Sequence, residues 1–375
     1  MRIGIDARFY GSVGKGLGRY TERLVLELEK IDQTNTYFIF LCQENFEEYQ
    51  PENKNFHKVL THSRWYSFSE QLVFPWLLLS KKLDLVHFPH FNVPLFYRKS
   101  FVMTLHDLIL FHYPTEKAST KSALFYWVKF LLYRLVLDSA LKRSKKVITV
   151  SDFTKVDIIK NYPFTKEKIQ VTKEAAEAFC YWQNEAASES LLRGLGLVRE
   201  TKRQEYFLYV GNAYPHKNLS FLLSVAEYFP EQKFVLVGKE DFFYKRLKSE
   251  VETRQLQNVI FAGYVTDGDL GVLYRYAALY IFPSLYEGFG LPPLEAMQYG
   301  TPVLSSERGS LPEILGEAAH FFNPEDKENL KQSIENLLNN EALRIQYKTK
   351  GFTQVAGYSW EKMAKMTLAE YGTVR

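Results

Sequence analysis

Glu287 and Glu295 stand eight positions apart in the run Pro283-Ser284-Leu285-Tyr286-Glu287-Gly288-Phe289-Gly290-Leu291-Pro292-Pro293-Leu294-Glu295. Proline is tolerated in the first turn of a helix, where its missing N–H has no partner to lose, so Pro292 and Pro293 mark a helix start. Gly288, Gly290 and Leu291, with Phe289 bracketed between the glycines, then offer backbone N–H groups at a positive helix end, which suits an anion. Glu287 falls in the loop before that helix and Glu295 near its first turn. A phosphate seat between two carboxylates that accept from sugar hydroxyls is what a nucleotide-sugar site needs.

Elements must bring such residues together. Short apolar runs alternate with stretches of helical period throughout, the pattern of strand–helix–strand units and parallel sheets. The first half predicts strands at Arg2–Ile5, Tyr37–Leu41, Asp84–Phe88, Phe101–Leu105 and Lys146–Val150. The second predicts Tyr206–Val210, Phe234–Val237, Val259–Ala262, Leu279–Phe282, Pro302–Leu304 and Ala319–Phe322. Polar, glycine-containing segments follow the strands: Pro89-His90-Phe91-Asn92, His106-Asp107, Gly211-Asn212, Pro215-His216-Lys217-Asn218, the Glu287 loop and Ser305–Ser310. Ligands of open parallel sheets bind at the carboxyl ends of strands, so two such sheets facing each other would share one cleft. A charged, weakly patterned stretch near residues 180–204 suggests a boundary, giving domains 1–180 and 181–357. The last helix, about 358–375, is expected to cross back to the first domain.

The 375 residues, 46% apolar, suffice for two cores. A formal charge of +4 gives no argument for nucleic acid. Cys42 and Cys180 have no metal spacing and read as structural residues of a cytosolic protein. No signal peptide is legible, and no apolar run reaches the roughly 18 residues that cross a bilayer. The apolar and aromatic segment from Lys121 to Lys146 reads either as a helix on an anionic membrane surface, at the inner face of the membrane, or as a buried helix whose basic end matches its dipole. Asp267-Gly268-Asp269 could pass for a metal-binding pair, but it precedes Leu270, Leu273 and Tyr274 as a helix cap would, so no metal is expected.

The ordered series Gly4-Ile5-Asp6-Ala7-Arg8, Gly16-Leu17-Gly18-Arg19-Tyr20, Val86-His87-Phe88-Pro89-His90, Thr104-Leu105-His106-Asp107, Tyr209-Val210-Gly211-Asn212, Pro215-His216-Lys217-Asn218 and the Glu287–Glu295 block resembles the retaining glycosyltransferases of family 4, nearest their mannosyltransferase-like group. The resemblance implies an α/β fold of two Rossmann-like domains facing a central cleft, the GT-B arrangement, with the acceptor on the N-terminal domain and the nucleotide-sugar, GDP- or UDP-linked, on the C-terminal one. It implies metal-independent transfer of an α-linked hexose, most plausibly mannose, to a glycan or lipid-linked glycan. Glu287 would orient the transferring sugar and Glu295 the ribose. Lys217 and the Gly288–Leu291 amides would hold the diphosphate, Gly16 would lie near the donor phosphates, and His106 would face the donor sugar unless it is a buried histidine paired with Asp107. Asn212 stands where many members have arginine; Arg8, Lys239 or the helix end would then compensate. Arg8, Arg19 and Tyr20 are also placed to meet acceptor or phosphates.

Two other readings stay open on the sequence. One is a catalytically silent sugar-nucleotide-binding partner. The other is a nicotinamide enzyme, with Gly14, Gly16 and Gly18 at the first turn and Glu44 as the acid after the second strand.

Overall fold

Two wholly parallel sheets, of seven and six strands, organise the chain. In the computed structural model the described residues are all but 115–122, 177–184, 200–201, 204 and 375. Cys180, the boundary expected at 180/181 and the start of the 121–146 segment lie outside them.

The first sheet comprises β1 (Arg2–Asp6), β2 (Thr36–Leu41), β3 (Phe56–Leu60), β4 (Leu85–Phe88), β5 (Phe101–Thr104), β6 (Lys146–Thr149) and β7 (Ile169–Val171). Their spatial order is β3-β2-β1-β4-β5-β6-β7. A short antiparallel hairpin, β8 (Val198–Arg199) with β9 (Lys202–Arg203), precedes the second sheet. That sheet holds β10 (Tyr206–Val210), β11 (Lys233–Val237), β12 (Val259–Gly263), β13 (Leu279–Phe282), β14 (Val303–Ser306) and β15 (Ala319–Phe322), in the order β12-β11-β10-β13-β14-β15. The central strands are continuous apolar runs because both of their faces are covered by helices. Tyr206-Phe207-Leu208-Tyr209 and Leu279-Tyr280-Ile281-Phe282 are buried without interruption. The strands expected from sequence all form. β3 and β7, which the pattern does not announce, close the two edges of the first sheet.

The chain divides into two compact units. The first is Met1–Leu108, Ser119–Glu174 and Ser359–Arg375, and the second is Ile109–Ala118 and Ala175–Tyr358. Within the first unit, helix Trp360–Gly372 packs on helix Lys15–Ile31, and the Tyr371 hydroxyl lies 2.6 Å from His87 Nδ1. His87 Nε2 lies 2.8 Å from Thr104 Oγ1, which is in turn 3.1 Å from the Tyr20 hydroxyl. This buried chain of polar groups pins the C-terminal helix and helix Lys15–Ile31 to β4 and β5. His87 and Tyr20 are therefore core residues, and Tyr20 does not reach a ligand.

Each sheet reverses its winding once. In the second, β10 leads outward through β11 to β12, while β13 starts the opposite half through β14 to β15. The loops after β10 and β13 thus diverge from a topological switch point, where open parallel sheets form their ligand crevice. In the first sheet the corresponding pair is β1 and β4.

Candidate active site

Lys217 follows β10 and Glu287 follows β13, and the two meet at that switch point. Lys217 Nζ lies 2.6 Å from Glu287 Oε1, with side-chain exposures of 12% and 9%. A backbone bond from Leu285 N–H to His216 O, 2.7 Å, joins the two loops just beside the pair. The Lys217 ammonium also sits 5.3 Å from the centre of the Phe282 ring. Burial and the Lys217 charge push His216 down to about 4, against the opposing pull of Glu287, so its imidazole is neutral. Segment 109–113 closes on the same corner: His112 and Tyr113 lie 5.2 and 6.2 Å from Tyr286, and Tyr113 lies 6.1 Å from His216.

A third loop fixes the glutamate. Gly309, after β14, has φ +66°, and a Cβ there would come within 2.9 Å of Glu287 N and 3.1 Å of Glu287 O. Only a residue without a side chain allows this approach. Ser310 then donates its hydroxyl to the carbonyls of Glu287 and Phe289, 3.0 Å each, and its N–H to Glu287 O at 3.3 Å. Glycine at 290 adopts φ 102°, ψ 58° and caps helix Leu291–Gln298. Because Pro292 and Pro293 carry no N–H, Leu291 supplies the first amide of that helix. Gly288, Phe289 and Gly290 are buried.

Glu295 is buried inside the same helix and accepts from the Tyr274 hydroxyl at 3.0 Å. The Tyr280 phenol is held far above its ordinary value by burial and the charge of Glu295, with a smaller contribution from Glu287. One phenol thus lies within the field of both carboxylates.

Beneath the loop after β10 three buried phenols make a floor that the sequence does not reveal. Tyr280 donates to Val210 O (3.3 Å), Tyr244 to Gly211 O (2.8 Å) and Val237 O (3.1 Å), and Tyr209 to Asn212 O (2.7 Å). Carbonyl and following N–H point oppositely across a planar trans peptide, so the N–H groups of Asn212 and Ala213 are turned away from this floor. The Asn212 carboxamide accepts from Tyr214 N–H at 3.2 Å, a local turn contact rather than a substitute for a guanidinium. Lys239 is exposed in the loop after β11.

In the first unit, His106 stands 3.1 Å from Glu174 Oε1 through Nδ1 and 3.0 Å from Pro89 O through Nε2. Both partners accept, so a doubly protonated ring satisfies both. Desolvation opposes that charge, but the hydrogen bond and charge of Glu174, the Pro89 carbonyl and Asp107 prevail, and the His106 pKa is raised. The two ring nitrogens thus face Glu174 and Pro89 rather than the neighbouring Asp107. Arg8 is not an available cation. Its guanidinium is fully buried, bonds Asp6 (2.7 and 2.8 Å), Glu70 (2.6 Å) and Ser63 O (3.2 Å), and lies over the Phe74 ring. Gly16, the second residue of helix Lys15–Ile31, is exposed, and a Cβ added to it would meet nothing within 4 Å. Glu44 is exposed and pairs with Arg64 at 3.0 Å. Asp267 and Asp269 open helix Asp267–Tyr276, whose cap is Thr266: Asp269 N–H donates to the Thr266 hydroxyl, which donates back to Asp269 Oδ2. Among the described residues, no group of three or more histidines, cysteines and acids is placed to hold a metal ion.

This fold, with its site residues on loops at a strand switch point, defines a glycosyltransferase of the two-sheet GT-B kind. Residues 14–173 match the family model described as Glycosyltransferase Family 4, and residues 198–354 match Glycosyl transferases group 1. The chain belongs to this glycosyltransferase family, which removes the nicotinamide reading. It is 30% identical to O-antigen chain mannosyltransferase B of Escherichia coli across 95% of each chain. It is 28% identical to O-antigen chain mannosyltransferase RfbU of Salmonella typhimurium over 73% of this chain and 70% of that one. Among solved structures, sucrose-phosphate synthase of Thermosynechococcus elongatus superposes with a TM-score of 0.75 at 18% identity, covering 100% of this chain and 98% of the other.

Proposed function

We propose that this glycosyltransferase is a retaining, metal-independent mannosyltransferase that moves an α-linked mannose from GDP-mannose to a hydroxyl of a glycan or lipid-linked glycan. The second unit takes the donor and the first unit takes the acceptor. The observation that carries the reading is the Lys217–Glu287 pair beside the helix that begins at Leu291. A leaving diphosphate gains charge as the glycosidic bond breaks, and a preorganised ammonium and amide N–H groups stabilise it best. Lys217 supplies the ammonium. The Leu291 amide and the outward N–H groups of Asn212 and Ala213 supply the dipoles, in place of the arginine that stands at position 212 in many members of the family.

Glu287, held by its neighbours on three sides, accepts from hydroxyls of the sugar, and Glu295 accepts from the ribose. The acceptor oxygen bonds the anomeric carbon on the face from which the phosphate departs, and the departing phosphate oxygen takes the acceptor's proton. His106 is held at the end of β5 by Glu174 and the Pro89 carbonyl. The mannose assignment is supported by the names of the two relatives, both mannosyltransferases of O-antigen chains.

A thermal-shift panel of GDP-mannose, UDP-glucose, UDP-N-acetylglucosamine and dTDP-rhamnose selects the donor, with GDP-mannose expected to stabilise most. Proton NMR of the product then reads the anomer, in EDTA. An α-product with unchanged rate is expected. A β-product sinks retention, and a chain that binds donor without turnover on any acceptor is the silent partner instead.

A further inference from the structure

The carboxyl edge of the first sheet carries aromatic side chains that the donor site leaves unused. Phe9 follows β1, Trp65 and Tyr66 follow β3, and His90 and Phe91 follow β4. Their rings meet. Phe9 stacks on Trp65 with centres 4.6 Å apart and planes 28° from parallel. His90 lies 5.3 Å from Phe9, 4.0 Å from Phe91 and 6.4 Å from Tyr66. Trp65 and His90 are half-buried and Tyr66 is 63% exposed, so the cluster keeps an open side.

Tyr66 is held open against its own backbone preference. Its φ of 59° is left-handed, a conformation that a bulky residue adopts only when its surroundings impose it, and such strain gathers at functional sites. The buried Arg8 network imposes it. Tyr66 N–H donates to Glu70 Oε2 at 2.8 Å, while Glu70 Oε1 accepts from Arg8 and from Asn92 Nδ2, 2.6 Å each. Arg8 also donates to Ser63 O, two residues before Trp65. One network thus fixes the loops after β1, β3 and β4 against one another and gives the rings a rigid base. His90 Nδ1, meanwhile, is buried with no hydrogen-bond partner among the described residues. Burial holds this imidazole down to about 3, so it is neutral and can serve a hydroxyl as donor or acceptor.

Beyond Trp65 the ends of β2 and β3 enclose a cavity of about 220 Å³, lined by the buried Cys42 and Thr61 and the exposed Gln43, Glu44, His62 and Arg64. Charge selects the occupant of this strip. Arg8 is matched by Asp6 and Glu70, and Arg64 by Glu44 at 3.0 Å, so neither cation is left to attract an anion. What remains is aromatic faces beside neutral hydrogen-bonding groups. A pyranose fits both, because its C–H faces pack on rings while its hydroxyls take polar side chains such as Gln43 and His62. From β4 through β1 and β2 to β3 there are three strand spacings, roughly 14 Å in all. That is longer than one sugar ring and suits a short chain of them. We propose that this strip is an extended glycan subsite. The sugar that receives the transferred residue lies against His90 and Phe91, at the switch point between β1 and β4. The next lies on the Phe9–Trp65 stack, and a further one enters the cavity between Cys42 and Arg64. The assignment rests on the transferase reading and makes the acceptor a chain of neutral sugars read over several residues.

Acceptor length tests this. With the donor that the thermal-shift panel selects, kcat/KM is measured for methyl α-mannoside and for α-linked mannobiose, mannotriose and mannotetraose. It should rise about tenfold for each added contact up to the trisaccharide and then level. In Trp65→Ala, and separately in Gln43→Ala with His62→Ala, the ratio of trisaccharide to monosaccharide kcat/KM should fall about tenfold. Gln43 and His62 are exposed, so their replacement spares the fold, and a ratio taken within one protein cancels general damage. Independently of turnover, mannotriose should shift the tryptophan fluorescence of the full chain saturably. Trp65→Phe, which keeps a ring against Phe9, should remove that shift. Equal kcat/KM at every length, ratios unmoved by the variants, or no fluorescence change would overturn the inference. Transfer to no acceptor at all, with the fluorescence response intact, would instead remove the transferase reading and leave the strip as a glycan-binding site.

Discussion

Lys217 Nζ and Glu287 Oε1 are 2.6 Å apart across the point where the second sheet reverses its winding. In the proposed donor site this pair bears on binding: a diphosphate that recruits Lys217 competes with Glu287 for the ammonium, and a carboxylate so released becomes available to the sugar. On the proposed function, one ion pair would then couple nucleotide and sugar recognition.

The pair can be dissected. Lys217→Met leaves a nearly buried carboxylate without its partner, at a cost of about 3 kcal/mol in stability. It also removes the cation proposed for the leaving group, expected to lower kcat about 10²- to 10³-fold. Adding Glu287→Leu to Lys217→Met should return much of the stability and none of the activity. Denaturant titration and initial rates of the wild type, the two single variants and the double variant measure both. If the double variant is no more stable than Lys217→Met, the pair is not the coupled unit described here.

Gly309→Ala is expected to be more damaging than its loop position suggests. The left-handed backbone at φ +66° costs about 1 kcal/mol for alanine, and the new methyl meets Glu287 N at 2.9 Å. Glu287 would shift with its peptide. A fall of about tenfold or more in kcat, with GDP affinity changed far less, is the expected result because misplacing the residue proposed to orient the sugar costs rate before nucleotide binding. Steady-state rates and calorimetric GDP titration would show whether the two separate.

Tyr244→Phe tests the phenolic floor. The substitution strands the Gly211 carbonyl and weakens the Val237 one, for about 1–2 kcal/mol of stability. With Gly211 released, the amides of Asn212 and Ala213 lose their fixed direction, so KM for the donor should rise several-fold while kcat changes little. An unchanged KM would remove these amides from the phosphate site.

Legibility from sequence follows the range of the signals. The central strands are readable because each is an unbroken apolar run, whereas β3 has His57 and Lys58 at its centre and β7 spans three residues. Edge strands need less apolar surface, and their pattern fades. The loop after β13 is readable because its glycines, prolines and acids are contiguous. The residues that hold it are not: Gly309 and Ser310 lie far along the chain from Glu287, and Tyr209, Tyr244 and Tyr280 look like any core aromatics until three elements converge. Sequence proximity offers Asp107 as the partner of a buried His106, but the carboxylate on its ring is Glu174, 68 positions on. Arg8 reads as a loop cation because nothing in sequence announces that Asp6 and Glu70 enclose it.

Four histidines set opposite limits on stability. Burial holds His87 and His90 down to about 3, and burial together with Lys217 holds His216 at about 4. In the unfolded chain each takes a proton near 6.5, so below that pH the unfolded state binds protons that the native state refuses. Each site then removes about 1.4 kcal/mol per pH unit as pH falls from there toward its folded value. His106 runs the other way: its folded pKa is raised, so its contribution is complete below about 6.5 and is lost as pH climbs through the folded value. Thermal stability should therefore peak near neutrality and fall on the acid side. In His87→Gln, where an amide replaces the imidazole between Tyr371 and Thr104, the acid-side slope should lessen by about one proton. In His106→Gln the loss that sets in as pH climbs past about 6.5 should disappear. Thermal midpoints of the three proteins across pH 5 to 9 decide it, and parallel curves for wild type and both variants would refute these assignments.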